Sequence, residues 1–307
     1  MKIAVVGAGA MGSLYGGKLS AIPGNEVYML DVWKDHVDAI NENGLLMEED
    51  GEFIKYPVKA STDASTVGVC DLVLVFVKST LTKTAVENNK AVFGPDTLVL
   101  TLQNGLGNVD LIAEVVGEKN IIAGTTACGA NMIGPGKMRH AGTGATIIGE
   151  LTGEKTERLQ KVVDMVTEAG LMGQLSTNVT GLIWDKLIVN VGINAICGIL
   201  DRQNGKLLEY PEMESLMEAA VEEAIAVAKA KGVELGFADP LAHVKDVAKA
   251  TGANVCSMLA DVRAHRKTEI DMINGAIVRE GAKVGVATPV NMVLSKLIEN
   301  LQRPVEA

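Results

Sequence analysis

Apolar and polar positions alternate along the chain with two different spacings. In the first half, short runs of Val, Leu and Ile stand between segments of helical spacing. This pattern predicts parallel βαβ units whose strands are covered on both faces. The predicted strands are K-I-A-V-V (2–6), E-V-Y-M-L-D (26–31), D-L-V-L-V-F-V-K (71–78), T-L-V-L-T-L-Q-N (97–104) and N-I-I-A-G-T-T (120–126).

The glycine-rich segment 127–150 predicts a late antiparallel part of this sheet, and one more helix follows near 154–170. Beyond residue 180 we expect no strand. The predicted helices there cover 180–199, 212–231, 239–249, 252–280 and 289–302. We therefore predict an α/β fold with a Rossmann-type dinucleotide-binding domain at 1–177 and an all-helical substrate and catalytic domain at 178–307.

Composition narrows the classes of function. With 307 residues, of which 48% are hydrophobic, the chain can bury two cores. Its net charge of −10 and the lack of a basic run argue against a nucleic-acid partner. Four scattered cysteines, a strand directly after residue 1 and no apolar run of about 18 residues predict a cytoplasmic protein without a signal peptide or membrane segment.

The segment G-A-G-A-M-G (7–12) follows the first predicted strand and begins a helix. Gly7 would form the tight turn, Gly9 would let a pyrophosphate approach the backbone, and Gly12 would let helix and strand pack closely. The alternative is an ordinary tight turn without a ligand. The predicted cofactor-binding residues are Gly7, Ala8, Gly9, Ala10, Met11 and Gly12.

Asp31 ends the second predicted strand and is the acidic residue expected in a dinucleotide site. Its carboxylate would accept hydrogen bonds from ribose hydroxyls and repel a 2′-phosphate, which favours NADH over NADPH. Lys34 is the only cation nearby. In the alternative interpretation Asp31 faces solvent and Lys34 neutralises a phosphate.

Two further polar residues close predicted strands. Lys78 ends the third strand and Asn104 ends the fourth. Because ligands of open α/β sheets bind outside the carboxyl ends of strands, both are candidates for a nicotinamide or substrate crevice. Alternatively, Lys78 begins a solvated loop and Asn104 only shapes the turn Q-N-G.

The segment W-D-K-L-I-V-N-V-G-I-N (184–194) is an apolar helix that carries Lys186, Asn190 and Asn194 every four residues. These side chains drift slowly along one face. Partial burial lowers the pKa of a lysine, so Lys186 could protonate an alkoxide, while the two amides donate hydrogen bonds to a substrate. The spacing also fits a snorkelling lysine with two packing amides.

A second polar set lies on the predicted helix 252–280. Asn254 and Ser257 would share a face near its start, and Ser257, Asp261, His265 and Glu269 follow at four-residue steps. Glu269 precedes apolar residues, so its carboxylate could be partly buried and bind a substrate hydroxyl. We interpret Asp261, His265, Arg266 and Lys267 as a solvated charged face. The four histidines show no metal-binding spacing, and neither a nucleophile elbow nor a P-loop is present.

In combination and order, these motifs resemble the ketopantoate reductase (2-dehydropantoate 2-reductase) family over nearly the whole chain. The shared pieces are G-A-G-A-M-G, F-V-K, L-Q-N-G, G-P-G-x-x-x-H-x-G, W-D-K-L-x-x-N-x-x-x-N, Q-N-G-K-L, A-N-x-x-S-M-L and K-T-E-I-D-x-I-N-G. The resemblance implies a Rossmann domain joined to a helical domain. It also implies reduction of 2-dehydropantoate to (R)-pantoate with NADPH, towards pantothenate and coenzyme A.

The resemblance further implies roles for individual residues. Lys186 would be the general acid, Glu269 would bind substrate, and Lys78 would lie near nicotinamide and substrate. Asn204 would help to close the site. The implied substrate pocket is lined by Asn104, Asn190, Asn194, Asn254 and Ser257.

The chain departs from the family at the end of the second strand, where many members carry an Arg suited to a 2′-phosphate and this chain has L-D-V-W. This departure resembles members that prefer NADH, including D-2-hydroxyacid dehydrogenases of branched or aromatic 2-keto acids. That activity is the alternative to ketopantoate reduction, and a non-catalytic nucleotide-sensing protein is the alternative of another class. Long apolar helices in the second domain suit a homodimer.

Overall fold

The computed structural model describes residues 1–303 and divides into two compact units. The first contains Met1–Gln103 and Asn108–Val179, and the second contains Asn104–Gly107 and residues 180–303. The short segment Asn104–Gly107 joins the second unit because it packs against residues there. The Leu106 N–H donates to the Met272 carbonyl at 2.8 Å. The sequence had indicated no such exchange.

The elements of the first unit follow the predicted alternation. In chain order they are β1 (Lys2–Val6), α1 (Ala10–Ser20), β2 (Glu26–Leu30), α2 (Lys34–Asn43), β3 (Leu45–Glu49), β4 (Glu52–Tyr56), β5 (Lys59–Ser61), β6 (Leu72–Val75), α3 (Thr82–Asn88), β7 (Leu98–Thr101), α4 (Asn108–Val116), β8 (Ile121–Thr126), β9 (Gly129–Gly134), β10 (Lys137–Gly142), β11 (Thr146–Glu150), α5 (Glu157–Glu168) and β12 (Gly173–Leu175).

The main sheet has the strand order β12-β11-β8-β7-β6-β1-β2-β5. From β5 to β8 all neighbours are parallel, and this part has the order of a dinucleotide-binding sheet. The predicted parallel βαβ arrangement is therefore confirmed. The order reverses between β1 and β6, where the chain returns to the centre of the sheet. Ligands of such sheets bind at this reversal, outside the carboxyl ends of the strands.

A second sheet, with the order β4-β3-β10-β9, was not predicted. Only β11 forms the expected antiparallel part of the main sheet, where it lies between β8 and the edge strand β12. Strands β9 and β10 leave the main sheet, and β10 pairs with β3. The β3–β4 hairpin had a readable signal, the dipeptide Asp50–Gly51. Both residues have positive φ (49° and 86°), as a two-residue type I′ turn requires.

The second unit is helical, as predicted, and no strand occurs among residues 180–303. Its helices are α6 (Val179–Leu200), α7 (Pro211–Ala230), α8 (Pro240–Ala250), α9 (Ser257–Arg263), α10 (Asn274–Val284) and α11 (Pro289–Leu301), with 3₁₀ turns at Asn204–Leu208 and Ile270–Met272.

The single predicted helix 252–280 is wrong. Asn254 lies in a turn before α9, and α9 ends where His265 adopts a left-handed conformation (φ 51°). The Arg266 N–H then donates to the Asp261 carbonyl at 2.9 Å and closes the helix end. Glu269 lies beyond this break, so the expected face of four-residue steps from Ser257 to Glu269 does not exist. Helical spacing alone could not reveal a break made by one residue that no glycine or proline marks.

Helix α6 also corrects an expectation. By length and composition it could span a membrane, although the sequence had been expected to contain no such run. In the structure 67% of the most apolar 18-residue stretch of this helix is buried inside the protein. Trp184, Leu187, Ile188 and Val191 pack in the hydrophobic core of the second unit. A helix that is apolar on nearly all sides is typical of such a core.

Candidate active site

The glycine turn between β1 and α1 has the geometry that a dinucleotide needs. Gly7 has φ 95°, and a Cβ on Gly12 would lie 1.9 Å from the Gly7 carbonyl oxygen. Neither position can therefore accept a side chain without a shift. In contrast, a Cβ on Gly9 would meet no atom within 4 Å. Gly9 thus leaves open space beside the first turn of α1, where the N–H groups of Ala10, Met11 and Gly12 have no partner within the helix.

Asp31 is held against this turn. Its Oδ2 accepts the Ala8 N–H at 2.7 Å, and its Oδ1 accepts the Trp33 N–H at 2.9 Å. A carboxylate has about four acceptor positions, so capacity remains for two ribose hydroxyls. Lys34 instead pairs with Asp38 at 2.5 Å on the exposed face of α2. This geometry disfavours the interpretation in which Lys34 receives a phosphate and Asp31 only faces solvent.

Lys78 is exposed and lies beyond the end of β6 at Val75. Gln103 is a residue that the sequence reasoning missed, although it stands in L-Q-N-G. Its Nε2 donates to the Val77 carbonyl at 2.7 Å and to Thr82 Oγ1 at 2.8 Å. Gln103 therefore ties the segment after β7 to the loop that carries Lys78.

The three polar side chains of α6 differ in their exposure to solvent. Lys186 and Asn190 are half-buried, and Asn194 is only 5% exposed. The residues between them are mostly buried and apolar. The ammonium and the two amides thus lie on a helix that is otherwise shielded from water, the environment in which hydrogen bonds to a substrate are strongest.

Two loops pack beside the stripe and bring further predicted residues together. The Asn204 N–H donates to the Asn254 carbonyl at 3.1 Å, and Asn204 Nδ2 donates to Thr251 Oγ1 at 2.9 Å. The Cys256 thiol donates to the Asn194 carbonyl at 3.7 Å. Asn204 is buried, whereas Asn254 and Ser257 are exposed. Asn254 and Ser257 therefore lie on a loop and at a helix start rather than on a shared helical face.

Glu269 and Asn104 are brought into one region of the second unit. Glu269 is 6% exposed and immediately precedes the turn Ile270–Met272. Met272, in this turn, contacts the loop that carries Asn104. Its carbonyl oxygen accepts the Leu106 N–H, and a Cβ on Gly105 would lie 2.5 Å from the same oxygen. The second unit therefore contains Glu269 and all residues of the predicted substrate pocket, including Asn104, which the sequence had placed in the first domain.

Asn274 joins the segment after Glu269 to α6. Asn274 is completely buried, and its Nδ2 donates to the Val191 carbonyl at 3.3 Å and to Asn291 Oδ1 at 3.0 Å. Sequence reasoning missed Asn274, although it stands in the I-N-G motif. Val191 lies between Asn190 and Asn194, so this bond sets the position of the segment after Glu269 against the polar stripe.

Each unit offers groups suited to a particular ligand. The glycine turn and Asp31 fit an adenine dinucleotide, since they offer an open backbone approach and a ribose acceptor. The second unit offers a half-buried ammonium, several amides and a buried carboxylate, a set suited to a small polar organic anion. Within residues 1–303 no group of three or more His, Cys, Asp or Glu could hold a metal ion.

Comparison with known proteins identifies the family of the chain. The profile described as "Ketopantoate reductase PanE/ApbA" matches residues 3–153, and "Ketopantoate reductase PanE/ApbA C terminal" matches residues 178–302. A 2-dehydropantoate 2-reductase of Streptococcus pyogenes is 34% identical over 97% of both chains.

Solved structures agree with this result. A PanE/ApbA family ketopantoate reductase from Ralstonia eutropha JMP134 is 35% identical over 98% of both chains, with a TM-score of 0.91. D-Mandelate dehydrogenase, solved with NADH and anilino(oxo)acetate, is 34% identical over 98% of both chains, with a TM-score of 0.92. The chain belongs to the ketopantoate reductase PanE/ApbA family.

Proposed function

We propose that the protein is a 2-dehydropantoate 2-reductase that uses NADH or NADPH to form (R)-pantoate. The observation that carries this proposal is the half-buried Lys186 on a helix with Asn190 and Asn194, in the unit that also contains buried Glu269. Family membership supports it, as do relatives named for this activity.

In the proposed reaction, the glycine turn and Asp31 would hold a nicotinamide cofactor, whose chemistry would be the supply of a hydride to a carbonyl carbon. The Lys186 ammonium donates a proton to the carbonyl oxygen as negative charge develops there. Asn190 and Asn194 donate amide hydrogen bonds that orient the substrate and add no charge. Asn104, Asn204, Asn254 and Ser257 supply further polar groups of the second unit for the substrate. Lys78, in the first unit, is the residue proposed to act near the nicotinamide and the substrate.

Glu269 supports ketopantoate over simpler 2-keto acids. Ketopantoate carries a hydroxyl that can donate to a carboxylate, whereas 2-ketoisovalerate and phenylglyoxylate have no such group. A site arranged to bind a hydroxyl disfavours analogues that lack it, because its buried polar group then loses a hydrogen bond. The buried position of Glu269 therefore favours ketopantoate.

A second candidate is an NAD-dependent D-2-hydroxyacid dehydrogenase. Asp31 favours it, since the carboxylate suits a free ribose and would repel a 2′-phosphate. The likeness to D-mandelate dehydrogenase solved with NADH supports the same candidate. On either candidate, Asp31 makes NADH the preferred cofactor.

The test is steady-state reduction of ketopantoate, 2-ketoisovalerate and phenylglyoxylate, each with NADH and with NADPH. We expect the highest kcat/KM for ketopantoate. A ketopantoate value below either rival would establish the dehydrogenase instead. Nicotinamide binding without turnover of any substrate would indicate a nucleotide-sensing protein.

We also propose a cytoplasmic homodimer. The four cysteines are free thiols, which suits a reducing compartment. Helix α11 exposes Val293, Leu297 and Leu301 at four-residue spacing, a stripe that a second copy could cover. Light scattering on a sizing column should give twice the monomer mass, and Leu297→Glu should give the monomer mass.

A further inference from the structure

His36 is a completely buried histidine that connects three segments around the glycine turn. Its Nδ1 accepts the Gly136 N–H at 2.9 Å, from the turn between β9 and β10. Its Nε2 lies 3.5 Å from Ser13 Oγ on α1. The Trp33 indole stacks on the imidazole, with 5.1 Å between ring centroids and 15° between ring planes. The imidazole is therefore held from several sides.

The hydrogen bonds determine the protonation state of this ring. A backbone N–H can only donate, so Nδ1 must carry a lone pair, and the proton of the neutral ring is on Nε2. This proton points towards Ser13 Oγ. The Ser13 hydroxyl is itself a donor to the Ala8 carbonyl at 2.8 Å, which leaves its lone pairs for His36.

The contacts continue to the ribose acceptor. Ala8 is the residue whose N–H donates to Asp31 Oδ2 at 2.7 Å, and Trp33 N–H donates to the other oxygen at 2.9 Å. His36, Ser13, Ala8 and Asp31 thus form an uninterrupted series within the first unit. Trp33 closes it into a ring of contacts, because it touches both Asp31 and His36.

We propose that neutral His36 is a positioning residue for the dinucleotide, acting through Ser13 and Ala8 on the glycine turn and on Asp31. The inference rests on the proposed function, since it assumes that the turn binds a nicotinamide cofactor. It goes beyond that function by adding two residues that need not touch the cofactor and by giving its binding a pH dependence. A protonated His36 would direct an N–H at the Gly136 N–H and break the series.

The charges around His36 support this direction. Burial lowers the pKa of His36, and the negative charge of Asp31 and a hydrogen bond with the Ala8 backbone oppose that effect in part. Ser13 and Gly136 present only neutral groups, and Lys34, Asp35 and Asp38 on α2 itself are exposed. The folded pKa thus lies below the unfolded value of about 6.5. The geometry is maintained above that value and is lost as pH falls through the folded pKa.

The experiment is a fluorescence titration that measures the Kd of NADH between about pH 5 and pH 8. In the wild type we expect Kd to rise as pH falls, by about fivefold, the effect of one lost hydrogen bond. His36→Asn keeps an oxygen near the position of Nδ1 to accept the Gly136 N–H, but it cannot titrate. His36→Gln keeps a donor near the position of Nε2. Both should bind more weakly at neutral pH, with a Kd that no longer depends on pH.

Ser13→Ala tests the route from His36 to Ala8 and should also flatten the profile. His265→Asn is the matched control, because His265 is exposed and its left-handed backbone suits asparagine. It should keep the wild-type profile. At saturating NADH the His36 variants should keep kcat and raise only KM for the cofactor.

The possible results distinguish failure of the proposed function from failure of the inference about His36. A wild-type protein that binds neither NADH nor NADPH at any pH would contradict the proposed function and this inference together. A wild-type pH profile retained in both His36→Asn and Ser13→Ala would overturn the inference and leave the proposed function intact. Thermal unfolding of each apo variant identifies any that fail to fold, and the other variants then decide.

Discussion

Asp185 immediately precedes Lys186 on α6, and both of its carboxylate oxygens accept the backbone N–H of Gly236, at 3.2 and 2.9 Å. Asp185 is 8% exposed, and a Cβ on Gly236 would lie 2.7 Å from its Oδ2. The loop after α7 is therefore tied to the helix that carries the proposed acid. This contact has consequences for stability and for its dependence on pH.

Asp185→Ala should destabilise the protein, because it removes a buried carboxylate and the Gly236 N–H of the exposed loop loses a charged acceptor. We expect the free energy of unfolding to fall by roughly 1–3 kcal/mol, measured by urea denaturation. Asp246→Ala, at an exposed position on α8, is the control and should change it by less than about 0.5 kcal/mol. Equal losses in the two variants would show that the contact does not stabilise the fold.

Stability should also depend on the ionisation of Asp185. Burial raises the pKa of this carboxyl above its usual value of 3.8, and the Gly236 N–H and the charge of His243 oppose the effect. The folded protein thus holds this proton more tightly than the unfolded chain does, so the contribution of Asp185 to stability falls as pH rises through the window above 3.8. Other carboxyl groups titrate in both proteins, so the quantity to compare is the difference in urea midpoint between wild type and Asp185→Asn. This difference should change to the disadvantage of the wild type as pH rises through this window.

Lys186→Ala should leave the fold intact and remove the proton donor. Loss of a well-placed general acid lowers kcat by roughly 10² to 10⁴, with any of the three keto acids that the wild type reduces. Lys296→Ala removes an exposed lysine that pairs with Glu299, and it should keep full activity. If Lys186→Ala retained turnover within a few-fold of wild type, another group would be the acid.

Gly9→Ala and Gly12→Ala should separate binding from folding. The new methyl of Gly12→Ala would overlap the Gly7 carbonyl at 1.9 Å, so we expect a loss of roughly 3 kcal/mol or more in the free energy of unfolding. Gly9→Ala places its methyl in open space and should cost less than about 1 kcal/mol. Its affinity for NADH should nevertheless fall at least about tenfold, since the methyl lies in the proposed path of the pyrophosphate.

Asp31→Arg should change cofactor preference. The substitution removes the ribose acceptor and the partners of the Ala8 and Trp33 N–H groups, so both cofactors should bind more weakly. NADH should lose more, because arginine attracts the 2′-phosphate of NADPH. We expect the ratio of the two affinities to shift towards NADPH by more than about tenfold. Asp38→Arg, at the exposed partner of Lys34, should leave the ratio unchanged.

The sequence was sufficient for the features that depend on local pattern. Continuous Val and Leu runs predicted the parallel strands, and G-A-G-A-M-G predicted the turn, because a tight turn before a helix needs glycine wherever a Cβ would collide. The spacing of Lys186, Asn190 and Asn194 predicted a polar stripe, since an uninterrupted helix converts spacing directly into direction. The helix is interrupted before Glu269, so spacing could not predict the direction of its side chain.

Features that depend on contacts between distant parts of the chain were decided only by the tertiary structure. His265 breaks the helix before Glu269, β10 pairs with β3, and Asn104 belongs to the second unit through the contact of its loop with Met272. His36 and Gln103 gained their places from partners far away in the chain, at Gly136 and Val77. Sequence spacing measures separation along one element. The neighbours of a side chain on another element depend on how the chain folds back, and no local pattern contains that information.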